Sequence, residues 1–467
     1  MGKEMTTQNR VKEKMPLLIS LFIIAHPLID IATALGTRAG LSITFGVVVR
    51  VLFMVCMAAY VCFIAQFKNK KLCCAYLGAV ILYCVFFLFY FLIKGGISAA
   101  FGNLKELIKV FYFSFILVSF YALYKQKNFV VSNKILTLTV VGYMAVIFIA
   151  FITNTGFTAY NYGFGNNGWF YAANEIGAIV SILIPVAILF AFQVLVDERR
   201  NFSIWIKAIA IIALGLVCFC STYIGTKVVF IGIIGYIICS LIWSLIVWLC
   251  TKDKKKLVQM VICLAMCLVI AISYFANSPL RKNIQGVMMP NYEEIKKPIK
   301  QEIEKPDTEQ KENLSAIIQS KSFRVANWLL SNRLTNILPI HYVFSQQGLL
   351  SQFIGIGYVD LDAYEASIQT AIECDPFALL YRHGFMGLLL FYAPIIGIFF
   401  YMLFHFLRRF TKLICSLSFC TYLYSFILGL GISTLAGHTL VAPAVSVFVA
   451  IIAVKLMDHE SLKDIVA

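Results

Sequence analysis

The sequence predicts an all-α polytopic membrane protein with about twelve transmembrane helices. Three observations carry that prediction. Hydrophobic residues make up 61% of the 467-residue chain and charged residues only 13%, where an average soluble domain is about 45–50% apolar and about 25% charged. The apolar residues fall in blocks of about 20, which at ~1.5 Å rise per residue match a ~30 Å hydrocarbon layer. Short basic clusters separate the blocks. So weakly charged a surface does not stay in water at this size. A soluble enzyme, a nucleic-acid binder and a disulfide-stapled secreted scaffold are excluded.

The apolar runs lie near 17–35, 43–65, 73–93, 104–124, 135–153, 173–195, 204–221, 227–249, 257–276, 378–404, 413–433 and 436–454. A cleavable signal peptide is the alternative for residues 1–36, with Ala32 and Ala34 near a cleavage point. His26-Pro27 and Asp30 inside that segment fit a bundle helix better. Basic residues alternate with the runs. Lys3, Arg10, Lys12 and Lys14 precede the first, Lys68, Lys70 and Lys71 follow the second, and Lys125, Lys127 and Lys134 follow the fourth. Arg199, Arg200 and Lys207 come after the sixth, Lys252 and Lys254–Lys256 after the eighth, and Arg408, Arg409 and Lys412 after the tenth. Every second connection is basic, which places both termini and these clusters in the cytoplasm. The 39 Lys and Arg against 23 Asp and Glu are therefore a topology signal and an attraction to anionic lipid surfaces. Of 14 Cys, only Cys374 lies in a long polar stretch, so buried thiols and no disulfide framework are expected.

The chain then divides into residues 1–276 (helices one to nine), an external loop domain over 277–377, and residues 378–467 (helices ten to twelve and a cytoplasmic tail). The loop holds 12 of the 23 acidic residues. Within it, 291–322 is too charged and Pro-interrupted for a core, whereas 323–350 carries helical periodicity in FRVANWLLSNRLTNI. That amphipathic helix is expected on the membrane surface or roofing the bundle. Two further external stretches stand out, the uncharged Gly-, Asn- and aromatic-rich 154–172 and the short link around Gly429–Ala436.

Ionisable residues at the external ends of apolar runs need explanation, because charge at membrane depth is costly and usually faces a cavity or a partner. Arg50 lies inside the second run, Glu175 begins the sixth, Lys227 the eighth, and Arg382 and His383 the tenth. Snorkelling at the interface is the plain alternative. The loop adds Arg324, Arg333, Glu373 and Asp375. Glu373-Cys374-Asp375-Pro376 precedes the return to the membrane, where its carboxylates either cap the helix start or divide the work of a general base and its orienting partner. Gly355-Ile-Gly357 lacks a βαβ setting for nucleotide binding and reads as a turn beneath a substrate. No metal-ligand spacing and no ATP-binding loop occur, so no metal and no cofactor are expected. Energy for any chemistry must arrive in the substrate.

Four segments resemble the O-antigen ligase/polymerase superfamily of membrane glycosyltransferases. Gly168-Trp-Phe-Tyr-Ala-Ala-Asn174-Glu175-Ile-Gly177 resembles its Gly…Asn-x-x-Gly segment. Ser221-Thr-Tyr-Ile-Gly225-Thr226-Lys227 resembles its Ser-x-Thr-Arg segment, with Lys for the usual Arg. Ser331-Asn-Arg333 and Gly355-x-Gly357 resemble loop elements, and Glu373-x-Asp375 with Gly384-x-x-Gly387 resembles an acidic form of the segment entering the next helix. The likeness covers roughly residues 160–400. It implies a GT-C-like architecture and a polyprenyl-pyrophosphate-linked glycan donor, whose pyrophosphate leaves as an acceptor hydroxyl attacks the anomeric carbon with inversion. Arg333 and Lys227 are then the main phosphate cations, with Arg50 and Arg324 next. Glu373 or Asp375 serves the acceptor hydroxyl. Asn174, Glu175, Arg382 and His383 complete the substrate-binding candidates, His383 being placed for local packing more than for proton transfer. The resemblance further implies a glycan acceptor, membrane lipids, a flippase and chain-length-control proteins as partners. Lipid A-type ligases of the superfamily use a His just before the return helix. The carboxylates found here favour a repeat-unit polymerase, with ligation to a lipid, wall or protein acceptor as the alternative. A glycolipid flippase or exporter is the second alternative, although no repeat pairs the two halves of the chain.

Overall fold

The computed structural model describes residues 7–41, 44–127, 131–157, 165–196, 202–276, 278–287, 320, 322–323, 327, 333–367 and 372–458. In chain order the helices are α1 (Thr7–Ile24), α2 (His26–Arg38), α3 (Phe45–Ala59), which continues as a π-helical turn over Tyr60–Ile64, α4 (Lys70–Lys125), α5 (Asn133–Ile152), α6 (Ala173–Leu195), α7 (Ile204–Tyr223), α8 (Lys227–Thr251) and α9 (Lys254–Phe275). Four shorter helices follow: α10 (Pro279–Val287), α11 (Arg333–Ser345), α12 (Leu349–Ile354) and α13 (Tyr358–Ser367). The chain ends with α14 (Asp375–Ile414), α15 (Leu417–Leu435) and α16 (Pro443–Met457). Among the described residues nine helices are long and apolar enough to cross a membrane, or ten if the bent α1–α2 pair forms one span. The protein is an all-α multi-pass membrane protein.

The centre of the bundle is α6. Its sequence, ANEIGAIVSILIPVAILFAFQVL, is apolar on every face, the pattern of a helix surrounded by other helices. It packs against α5, α7, α8, α15 and α16, and nearly all its residues from Ile176 to Val194 are buried. Ser181 at its middle is satisfied within the helix by the Gly177 carbonyl at 2.6 Å. The 15-residue α16 is equally buried. At ~1.5 Å per residue it is shorter than the hydrocarbon layer.

Three helices are broken, each for a local reason. The α1–α2 pair bends by 51° where Pro27 enters the first turn of α2; a proline there forfeits only an amide that the helix start leaves unbonded. The expected runs 73–93 and 104–124 are the two halves of α4, which meet where the backbone leaves helical geometry at Gly96 (φ 76°). Likewise α14 breaks at Gly384 (φ 64°), a conformation open to glycine at little cost. Boundaries also move: α14 starts at Asp375, before the expected 378, and α16 starts at Pro443, after the expected 436.

The break in α14 frees carbonyls that must find donors, because apolar surroundings supply none. The long loop supplies them. Ile356 N–H donates to the Tyr381 carbonyl at 2.8 Å and Gly357 N–H to that of Arg382 at 3.1 Å, while the Tyr83 hydroxyl donates to that of His383 at 3.0 Å. A small second core of Ile337, Ile340, Phe344, Ile356, Leu361, Ile372 and Tyr381 forms between the loop helices and the first part of α14. The expected amphipathic helix over 323–350 falls largely outside the described residues until α11, as does the charged 291–322 segment apart from Ser320 and Ser322.

Gly355 sits at φ +105°, and a Cβ there would lie 2.2 Å from the Arg382 carbonyl oxygen. Gly355→Ala therefore forces a backbone shift on top of a strained φ of about 1–3 kcal/mol. Its thermal midpoint in detergent, followed by tryptophan fluorescence, should fall by several degrees. Gly78→Ala, mid-helix with nothing within 4 Å, should match or exceed the parent by up to ~1 kcal/mol. Equal midpoints for the two variants would remove the clamp from the account of stability.

Candidate functional site

Asp375, in the first turn of α14, is fully buried. Both its oxygens are occupied. Oδ2 accepts from Ser433 Oγ at 2.7 Å, Thr439 N–H at 3.0 Å and Leu440 N–H at 2.8 Å. Oδ1 accepts from Nδ1 of His438 at 2.7 Å. The carboxylate thus fixes the link between α15 and α16, and by accepting a hydrogen bond from Nδ1–H it sets the His438 tautomer. His438 also lines a cavity. Burial pulls the His438 pKa down, but the hydrogen bond and charge of Asp375 outweigh it, and the net position is above the usual 6.5.

The cavity has a volume of about 680 Å3 and is walled by α2, α3, the second part of α4, the first part of α14 and the 438–444 link. Its walls are mainly apolar, with Val47, Val51, Phe101, Leu104 and Ile108 among them. Charged side chains interrupt these walls, and most carry their own counter-ion. Arg50, itself buried, is ion-paired with Asp30, to which the Tyr143 hydroxyl also donates. Lys109 pairs with Glu106 at 2.7 Å. Arg382 pairs with Asp362 at 2.9 Å and Glu365 at 3.3 Å on α13, and stands 4.9 Å from the Tyr358 ring centroid. Burial raises the pKa of both α13 carboxylates and the Arg382 charge opposes it. Lys105 and Glu175 also line the space.

Beside the same link lies a second cationic group. Arg333, at the start of α11 and 12% exposed, donates to Glu373 at 2.5 Å and to the Ala436 carbonyl at 2.5 Å. Glu373 is 41% exposed. Lys227, the first residue of α8, has Arg333 as a charged neighbour. Among the described residues it has no hydrogen-bond or ion-pair partner. A lone cation at a helix N-terminus, next to another cation, is unfavourable until an anion arrives.

The glycine segments hold these pieces together. Gly177 of α6 faces Thr226, where an added Cβ would lie 3.3 Å from Oγ1. Asn166 donates to the Tyr223 carbonyl at 3.2 Å and Asn283 of α10 to that of Gly225 at 2.9 Å. Asn174 is exposed and stands near Gly437. Glu373, Asp375, Arg333 and Asn174 therefore gather about the 436–440 link, with Lys227 as a charged neighbour of Arg333, and Arg50, Glu175 and Arg382 gather about the cavity. His383 is elsewhere: it is fully buried, with Tyr83 Oη 3.2 Å from Nδ1 and Tyr358 Oη 2.8 Å from Nε2. Arg324 lies outside the described residues.

Sequence reasoning missed His438, Lys105, Glu106 and Lys109. His438 falls within the expected run 436–454. Pro443, a favoured first residue of a helix, was the signal that the span starts later. The other three form Lys105-Glu106…Lys109 at helical spacing in the fourth run, which could have been read as one polar face. No group of three or more His, Cys, Asp or Glu that could hold a metal occurs among the described residues.

A family model described as O-antigen ligase like membrane protein matches residues 12–460. No curated protein matches the chain.

The raised pKa of His438 has a consequence for stability. Its imidazolium–carboxylate pair with Asp375 contributes fully below the unfolded value of about 6.5, and the contribution is lost as pH rises through the higher folded value. Thermal midpoints of the parent and His438→Gln, measured from pH 5.5 to 8.5, should differ most at the acid end and converge above neutrality. A gap that is constant across that range would show that the pair does not titrate this way.

Proposed function

Because this chain belongs to the O-antigen ligase-like membrane protein family, we propose that it transfers a glycan from a polyprenyl pyrophosphate to an acceptor hydroxyl. In this reading it polymerises lipid-linked repeat units into a cell-surface polysaccharide at the outer face of the cytoplasmic membrane. The observation that carries it is an oriented Asp375–His438 pair at a cavity, with Lys227 and Arg333 gathered about the same link.

The chemistry divides among these residues. Nε2 of His438 takes the acceptor proton, acting as a general base. Asp375 orients the ring and stabilises the imidazolium, the role of the carboxylate in hydrolase triads. We assign the proton to His438 and not to Asp375 or Glu373, because Asp375 has no free oxygen face and Glu373 is held by Arg333. The acceptor oxygen bonds to the anomeric carbon as the bond to the pyrophosphate oxygen breaks, its electron pair leaving with polyprenyl pyrophosphate. Lys227 and the Arg333 fork stabilise that departing charge. Glu373 is then the counter-ion that the pyrophosphate displaces.

A second reading, single transfer onto a different acceptor, is favoured by one observation. The shortage of a suitable His argued against a ligase, and His438 supplies one from another part of the chain. Export alone would need no oriented Asp–His pair. We further propose twelve crossings, cytoplasmic termini and an external 277–377 loop, from the alternation of basic connections.

Two experiments test this. In intact cells an impermeant maleimide should label Ala363→Cys, and should label Lys254→Cys only after permeabilisation; the reverse pattern would invert the topology. In liposomes containing purified protein and its lipid-linked glycan, a product ladder marks a polymerase and one-step transfer a ligase. His438→Gln should lower turnover about 10²–10⁴-fold with binding of undecaprenyl pyrophosphate retained, whereas Lys227→Ala and Arg333→Lys should weaken that binding. Full activity in His438→Gln would refute the assignment of the base.

A further inference from the structure

Glu175 differs from its charged neighbours. It lies in the first turn of α6 and lines the cavity together with Arg50, Lys109, Arg382 and His438. Arg50, Lys109, Arg382 and His438 each have a counter-ion. Among the described residues the Glu175 carboxylate has neither a hydrogen-bond donor nor an ion-pair partner. A carboxylate in mainly apolar walls without a donor is costly, and the N-terminus of α6 offsets only part of that. The site is complete when a ligand brings the donor.

The ligand's chemistry follows from what else the cavity contains. Its volume of about 680 Å3 falls within the roughly 300–1,000 Å3 of small-molecule sites. His438 opens into it, whereas neither Lys227 nor Arg333 lines it. A nucleophile reaching His438 from this side meets an anomeric carbon whose leaving group lies beyond, toward Lys227 and Arg333. In-line displacement requires that order of groups. The acceptor therefore belongs in the cavity and the departing pyrophosphate outside it.

Resting on the glycosyl-transfer reading, we propose that this cavity is the acceptor site and that Glu175 accepts a hydrogen bond from a hydroxyl of the acceptor's terminal sugar. That bond holds a neighbouring hydroxyl at Nε2 of His438. The attacking hydroxyl gives its proton to His438, its oxygen bonds to the anomeric carbon, and the carbon–oxygen bond to pyrophosphate breaks with the electron pair going to pyrophosphate. Glu175 remains ionised throughout. It is a substrate-binding residue that determines which sugar hydroxyl is presented.

The test uses the full-length protein in nanodiscs. Lipid-linked glycan that accumulates in cells carrying only His438→Gln is the donor, and the same glycan released from its lipid by mild acid is the varied acceptor. Glu175→Ala should raise the acceptor KM about 10–100-fold, the range for losing a hydrogen bond to a charged group. Undecaprenyl pyrophosphate should bind it as it binds the parent. The near-isosteric Glu175→Gln, which keeps one acceptor oxygen and the fold, should fall between the two. Lys227→Ala should show the converse, weaker undecaprenyl pyrophosphate binding at an unchanged acceptor KM. An unchanged acceptor KM in Glu175→Gln and Glu175→Ala, or an equal loss of undecaprenyl pyrophosphate binding, overturns the proposal while leaving glycosyl transfer intact. A parent protein that binds both compounds and forms no product overturns the underlying reading as well.

Discussion

The buried carboxylate of Asp375 receives hydrogen bonds from Ser433, His438, Thr439 and Leu440, and this end of the bundle is arranged around it. Removing a carboxylate from water costs several kcal/mol, which is recovered only if donors surround it. Here two backbone amides, a hydroxyl and an imidazole do so at once. Those donors come from the end of α15 and the link before α16, so one charge at the start of α14 ties together three elements that also pack against one another. The same charge holds His438 in one tautomer and one orientation. Structure and proposed chemistry therefore share a single electrostatic origin.

A comparable constraint governs the broken helices. Inside an apolar layer a helix can be interrupted only where other groups take over its backbone bonds. At Gly384 the takeover is complete for three successive carbonyls, through Ile356, Gly357 and Tyr83. The exchange carries the long loop down onto α14 and brings Tyr358 and the α13 carboxylates against Arg382. Glycine at 355 and 384 makes the approach close enough, since a side chain at either would strike a main-chain oxygen. The loop is thereby part of the site's wall.

Charge placement follows a pattern in which cations near the cavity and the link come with protein counter-ions, such as Asp30 for Arg50 and Glu373 for Arg333. Such pairs allow a polar site to persist in weakly polar surroundings before any ligand is bound. The exceptions are then informative. Lys227 and Glu175 lack such partners among the described residues, one cationic beside the link and one anionic in the cavity. The two unmet charges are opposite in sign, as expected where one ligand brings phosphate and the other brings hydroxyl groups.

Much of this was legible in the amino-acid order. Composition and 20-residue apolar runs required a polytopic helical membrane protein, because those properties depend on how residues partition between water and hydrocarbon and not on which helix touches which. The cations at Arg50 and Lys227 were visible for the same reason: charge in an apolar run is conspicuous without coordinates. What remained hidden was pairing across distance. That Asp375 is sealed by a link some 60 residues later, and that His383 is enclosed by Tyr83 and Tyr358, are outcomes of tertiary packing. His438 is the sharpest case. On the chain it is one polar residue at the start of an apolar run, and only the fold, by bringing the Asp375 carboxylate to its Nδ1, gives that imidazole a fixed proton and a direction.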